Sequence, residues 1–212
     1  MADPLQIDVA GRRDPFDLGP ATAGKLGMWV FLVTDAMSFS GLLLTYGVAR
    51  AASPDWPDPT KHLGVNFTAL MTFVLICSSV SMVMALSAAR ARDRRGLTRW
   101  LAATILGGLF FLGGQAFEWR HLVHEGMTLS GDAFAAAGHG DARFCSTFFA
   151  VTGFHGLHVL TGVLYLGAVL ARAARGRYTD GAGDANPVEV AGLFWHFVDL
   201  VWILVFTFIY LI

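Results

Sequence analysis

Five long apolar stretches dominate this sequence and constrain its fold more than any other feature. They lie at about residues 24–49, 64–89, 97–119, 144–171 and 189–212. Each is long enough to cross a hydrocarbon layer of about 30 Å as a helix, which takes about 20 residues. A backbone inside a bilayer must satisfy its own hydrogen bonds, so these stretches are expected to be α-helices. The sequence therefore predicts an all-α, polytopic membrane protein with five transmembrane helices.

The composition agrees with this class. Of the 212 residues, 55% are hydrophobic and only 15% are charged, which is far from the balance of a soluble domain. The segments between the stretches are rich in Pro, Gly and polar residues, as in "RAASPDWPDPTK" and "RAARGRYTDGAGDANP", and read as loops. We predict a tail over residues 1–23 and a single membrane domain over 24–212. The first twenty residues have no apolar core and do not resemble a cleavable signal peptide.

Lysine and arginine are distributed unequally between the two sides of the predicted domain. On one side, three lie in the tail and at the start of the first helix, five in the second loop and three in the fourth loop. The opposite side of the membrane has four. Because cytoplasmic loops carry the excess of basic residues, we expect a cytoplasmic N-terminus and a periplasmic C-terminus. The net charge of −1 gives no reason to expect a nucleic-acid partner.

Seven ionisable residues in the apolar stretches or at their ends are the candidate functional residues. Asp35 stands alone in the first helix, and the other six form pairs with a spacing of three: Glu118 and His121, His155 and His158, His196 and Asp199. Ionisable side chains at membrane depth face the bundle interior, and positions i and i+3 share a helix face. The simplest expectation is that these residues hydrogen-bond between helices.

A metal site and a proton relay are the alternatives that would give these residues a chemical role. "EWRH" (118–121) fits the Glu-x-x-His pattern of di-iron bundles, but such a site uses two copies and two further glutamates. Histidines on one helix face cannot ligate opposite sides of a haem. A relay needs polar groups through the whole membrane thickness, whereas most of these residues cluster near one depth. Cys77 and Cys145 have no C-x-x-C spacing and are interpreted as packing residues.

Four segments, in order, resemble one known family. They are "GMWVFLVTDAMSFSGLLLTYGV" (27–48), "GGQAFEWRHLVHEGM" (113–127), "STFFAVTGFHGLHVLTGVLYL" (146–166) and "LFWHFVDLVWILVFTFIYL" (193–211). Together they are similar to haem-copper oxidase subunit III, the cytochrome c oxidase subunit 3 family, from about Gly27 to Tyr210. The first segment resembles that family's helix with a membrane-buried carboxylate, and the last two resemble its final two helices.

The resemblance implies a non-catalytic subunit III of a bacterial terminal oxidase in the plasma membrane. Such a chain carries no redox centre and docks beside subunit I, which holds the haems and copper, in a complex expected to include subunit II. It supports proton uptake, protects the catalytic core during turnover and encloses a cleft for phospholipids. By the same resemblance, Asp35 would be the buried carboxylate of the lipid cleft, and the interhelical polar residues would be Glu118, His121, His155, His158, His196 and Asp199.

Two departures from the family pattern leave the electron donor open. Many members have seven helices, and this chain lacks the first two, as shorter bacterial forms do. Position 35 is Asp where cytochrome c oxidases usually have Glu, which also resembles quinol oxidases and accessory proteins of nitric oxide reductases. The segments "TGFHGLHV" and "QAFEW" are more similar to the cytochrome c branch. A stand-alone membrane metalloenzyme is the remote alternative.

Overall fold

The computed structural model describes residues 23–179 and 185–212. Within them, five helices are long and apolar enough to cross a membrane, so the prediction of an all-α protein with five such helices is confirmed. Four are α1 (Ala23–Ala52), α3 (Val65–Arg90), α4 (Arg94–His124) and α6 (Ala142–Ala173). The fifth is α7 (Asn186–Val205), which continues as a π-helix over Phe206–Leu211, while α2 (Pro59–His62) and α5 (Asp132–Ala136) lie in loops. The tail predicted at 1–23 lies, except for Ala23, outside the described residues.

Several helices extend beyond their apolar stretches because polar residues continue them into the interface. The helix α4 was predicted at 97–119 but runs from Arg94 to His124. Its start is fixed by Asp93, whose carboxylate accepts a hydrogen bond from the Gly96 N–H at 3.0 Å. The same kind of cap starts α6. An N-cap carboxylate satisfies an N–H group that has no partner within the helix, a signal that hydropathy does not contain.

The helix α7 holds the bundle together. It packs against α3 and α6, while α4 packs against the same two helices. Its large aromatic side chains Trp195 and Trp202 are fully buried. Glycines make room for the Trp195 ring: a Cβ added at Gly108 would lie 2.5 Å from it, and one added at Gly162 would lie 2.9 Å from it. Inside a bilayer there is no hydrophobic driving force between helices, so close packing stabilises their contact, and small residues make that packing possible.

The helix α1 lies at the edge of the bundle. It packs against α6 and α7, and only 17% of its most apolar window is buried, compared with 50% for the window of α7. Large apolar side chains such as Trp29, Val33, Met37 and Leu44 are exposed. The fold therefore leaves a broad apolar face on its first helix.

Ion pairs and hydrogen bonds identify which segments meet at each end of the bundle. Glu189 at the start of α7 contacts Lys25 of α1 at 2.9 Å and Arg90 of α3 at 3.3 Å. We call this the basic end. At the opposite end, the Asp141 N–H donates to the Asp55 carbonyl at 3.1 Å and thereby joins two loops. We call this the loop end.

The close packing at Gly108 generates the first prediction. Gly108→Ala is expected to lower the free energy of unfolding by about 1–3 kcal/mol, since the new Cβ would overlap the Trp195 ring and lie 2.7 Å from Val163 Cγ2. Unfolding in detergent micelles measures the change. Gly113→Ala on the same helix is the control, because its Cβ meets no atom within 4 Å. Equal losses in both variants would contradict this packing.

Candidate functional site

Asp35 of α1 is paired with His158 of α6 inside the membrane-spanning part of the bundle. The carboxylate Oδ1 lies 3.2 Å from His158 Nε2, and Asp35 is buried although its helix is mostly exposed. On the far side of the ring, His158 Nδ1 lies 2.7 Å from the Phe154 carbonyl oxygen. A carbonyl oxygen only accepts hydrogen bonds, so Nδ1 carries a proton. The carboxylate and Nε2 therefore share one further proton between them.

Aromatic rings enclose this pair. The Phe39 ring is 4.8 Å from Phe154 and 5.2 Å from His158 between centroids. Because these rings contribute no hydrogen-bonding group, they keep the surroundings of the carboxylate apolar. Asp35 Oδ2 has no hydrogen-bond partner among the described residues. The pair thus has one bonded carboxylate oxygen and one spare.

His155 lies one turn away in an apolar pocket and does not form the hydrogen bonds expected from the sequence. It is fully buried, and neither ring nitrogen has a hydrogen-bond partner within the described residues. Its ring centroid is 5.5 Å from that of Phe111 and 4.7 Å from that of Trp202. His155 therefore joins α6 to α4 and α7 through ring packing.

Glu118 connects three elements near the loop end. Its Oε1 accepts a hydrogen bond from Thr68 of α3, and its Oε2 accepts one from Tyr210 of the π-helix, both at 2.9 Å. Both carboxylate oxygens are thus bonded. Its sequence partner His121 points elsewhere: it is exposed, with Nε2 3.3 Å from Glu125 Oε1. The two members of the Glu-x-x-His pattern do not converge on one site.

Asp199 belongs to a polar seam between α3 and α7. The Ser79 hydroxyl donates to Asp199 Oδ2 at 2.6 Å. Along the same seam, Trp195 Nε1 donates to Ser78 at 3.0 Å and Trp202 Nε1 donates to Thr72 at 2.9 Å. His196, the predicted partner of Asp199, is half-buried. The seven predicted residues therefore occupy several separate contacts.

Sequence reasoning missed the hydroxyl residues that complete these contacts. Thr68, Thr72 and Ser79 follow one another at four and seven residues and so share one face of α3, and Ser78 adjoins Ser79. Single hydroxyls inside a helix commonly bond back to the preceding turn, so each alone carries little information. Their shared face was the signal that could have identified α3 as the partner of α7. Among the described residues, no group of three or more His, Cys, Asp or Glu side chains is placed to hold a metal ion.

Comparison with known proteins identifies the family. The family model of cytochrome c oxidase subunit III matches residues 20–212. The chain belongs to the cytochrome c oxidase subunit III family. A probable cytochrome c oxidase subunit 3 of Nocardia farcinica is 38% identical over 89% of this chain and 87% of its own length. Proteins of Corynebacterium diphtheriae and Mycobacterium tuberculosis, named cytochrome c oxidase subunit 3 and probable cytochrome c oxidase subunit 3, are 38% and 39% identical over the same shares.

The resemblance predicted from the four segments is thereby confirmed. As a member of the cytochrome c oxidase subunit III family with five membrane-spanning helices, the chain is a multi-pass membrane protein and a subunit of an oxidase complex. The polar contacts described above are thus the interior of a subunit III bundle. They gather at the interfaces of α1 with α6, of α3 with α7, and of α4 with α3 and the π-helix.

The Asp35–His158 pair generates the second prediction. His158→Leu is expected to lower the free energy of unfolding by about 1–3 kcal/mol, because it leaves a buried carboxylate without its partner. Replacing both residues by Leu should recover most of that loss, since paired apolar groups can substitute for a buried ion pair. Thermal unfolding in lipid nanodiscs compares the three proteins. A double variant no more stable than His158→Leu would refute the pairing.

Proposed function

We propose that this chain is the non-catalytic subunit III of a bacterial cytochrome c oxidase and packs beside subunit I in the plasma membrane. Under this proposal, haem and copper belong to the partner subunits, which reduce O₂ and move protons outward. The observation that carries it is the subunit III match over residues 20–212. That match includes the buried Asp35–His158 pair and all five membrane-spanning helices.

The proposed orientation puts the basic end in the cytoplasm. Lys25 and Arg90 lie there, bound to Glu189. Arg92 follows in the loop between α3 and α4, and Arg94 and Arg95 begin α4. Excess positive charge favours retention on the cytoplasmic side. Residues 1–23 would then be a cytoplasmic tail, and residues 24–212 one membrane domain with a periplasmic C-terminus. Arg92 and Arg95 would contact anionic headgroups.

The edge helix α1 is the proposed contact for phospholipid and for the rest of the complex. Its exposed apolar face is suited to acyl chains, and Asp35 lies buried at the junction of α1 with α6. An apolar environment that excludes water strengthens the interaction between the Asp35 carboxyl and its imidazole partner. Lipid covering α1 would supply that environment and hold the proton-entry side of the core steady during turnover. The remaining predicted residues would maintain the bundle that presents this face.

Gentle purification of the tagged chain tests the assignment. We expect subunit I and a subunit II with a copper-binding domain to co-purify, together with a reduced-minus-oxidised haem spectrum. Co-purification of subunit I without a copper-domain subunit II would favour a quinol oxidase or a nitric oxide reductase, the alternative supported by Asp at position 35. Recovery of the chain alone with stoichiometric iron would overturn the proposal in favour of a metalloenzyme.

Asp35→Ala tests the role of the buried carboxylate. We expect an assembled oxidase whose initial rate of O₂ consumption is little changed but whose activity decays several times faster during turnover, with less bound phospholipid. Oxygen electrode traces and lipid mass spectrometry provide the readouts. Ser40→Ala is the control on the same helix, since that hydroxyl is bonded to the Ala36 carbonyl of its own helix. Immediate and complete loss of activity in correctly assembled complex would contradict this role.

A further inference from the structure

Two loops at the loop end meet through a small and well-defined set of contacts. We call the contacts between residues 53–64 and residues 125–141 the loop clasp. The Asp141 N–H donates to the Asp55 carbonyl at 3.1 Å. Gly140, with φ of 117°, lies so close that an added Cβ would be 2.9 Å from the Asp55 oxygen and 3.0 Å from Pro57. The clasp therefore depends on a close backbone approach.

Two imidazole rings make the side-chain part of the clasp. His62 comes from the first loop, and His139 comes from the second, with ring centroids 5.6 Å apart in an edge-on arrangement. Phe134 contacts both, at 5.1 Å from His62 and 5.3 Å from His139. The three rings border a cavity of about 420 Å³ whose other lining residues are Lys61, Glu125 and Met127. Two titratable rings thus face each other across the junction of the loops.

The charged groups around the rings are of both signs. Asp58 caps the start of α2, and Lys61 lies within that helix. Glu125 lies at the end of α4, beside the cavity. Hydrogen bonds from Thr60 hold the pKa of Asp58 below its ordinary value, so that carboxylate stays ionised in mild acid.

The ion pair between Asp141 and Arg143 flanks the clasp at the start of α6. Hydrogen bonds from Arg143 hold the pKa of the Asp141 carboxyl well below its ordinary value. Neither Asp58 nor Asp141 therefore changes charge in the range where histidines titrate, near pH 6.5.

Protonation of His62 is disfavoured while the clasp is closed. Burial lowers the pKa of His62, and the neighbouring His139 lowers it further, while Glu125 and Asp58 act in the opposite direction. An opened clasp would return His62 to its ordinary pKa of about 6.5. The open form therefore binds more protons, and the closed form loses stability as the pH falls through that value.

We propose that the loop clasp is a pH-sensitive latch, in which a positive charge on His62, beside the His139 ring and Lys61, separates the two loops and uncovers the end of the bundle near Glu118. Gly64, the last residue of the first loop, lies beside Glu118: a Cβ added there would be 3.9 Å from Glu118 Oε1. The latch rests on contacts within this chain alone. Its physiological direction rests on the orientation proposed above, which exposes the loop end to the compartment that receives protons.

Hydrogen exchange on the full-length chain in lipid nanodiscs tests the latch. We expect the protection of residues 55–64 and 126–141, corrected for intrinsic exchange, to fall severalfold between about pH 7.5 and about pH 5.5. One linked proton changes an equilibrium by at most about tenfold per pH unit, which limits the response that His62 can give. Protection within α6 should stay constant. A wild-type protein with constant loop protection over this range would overturn the proposal.

Variants separate the latch from general acid sensitivity. His62→Gln and His139→Gln should each reduce the pH response, whereas His124→Gln should retain it, because His124 is an exposed histidine at the end of α4 outside the ring cluster. His139→Lys should make the loss of loop protection below about pH 6.5 steeper, because a permanent positive charge beside His62 opposes its protonation in the closed clasp. An undiminished response in both Gln variants would refute the latch even if His139→Lys failed to fold.

Discussion

The hydrogen bonds between α7 and α3 are the constraint on which the rest of the bundle depends. An indole N–H in hydrocarbon finds no water, so Trp195 and Trp202 must find acceptors on a neighbouring helix. Ser78 and Thr72 supply them, and together they fix both the rotation and the height of α7 against α3. Once α7 is placed, its large rings require glycine on the facing helices, and this determines how closely α4 and α6 approach.

The attachment of α1 follows a different principle. Contacts spaced along the helix hold it: Lys25 with Glu189 at the basic end, Asp35 with His158 and Phe39 with Phe154 in the middle, and the Tyr46 ring edge-on to Trp56 at the loop end. Few large side chains interlock between these points, so most of its apolar surface stays outside the bundle. A helix held at separated points in this way leaves its outer face free to contact lipid or other subunits, whereas α7 is packed within the bundle.

The number of helices could be predicted from the sequence because hydrocarbon thickness fixes the length of an apolar span. The ends of the helices were harder to predict, because Asp93 and Asp141 start their helices through caps that hydropathy does not detect. The pairing of Asp35 with His158 joins residues far apart in the chain, and spacing within one helix cannot reveal it. Spacing also misled at Glu118 and His121, since a shared helix face at an interface still sends one side chain inward and the other outward.

Hydrogen-bonding capacity separates the buried carboxylates into two kinds. Both oxygens of Glu118 are bonded to neutral hydroxyls, so any change in its protonation would disturb two contacts that join three elements. Asp35 has one oxygen beside an imidazole and one without a partner among the described residues. The second oxygen could therefore take a further contact without loss of an existing one. Asp35 lies on the helix that the bundle holds least, so its environment depends most on what covers α1.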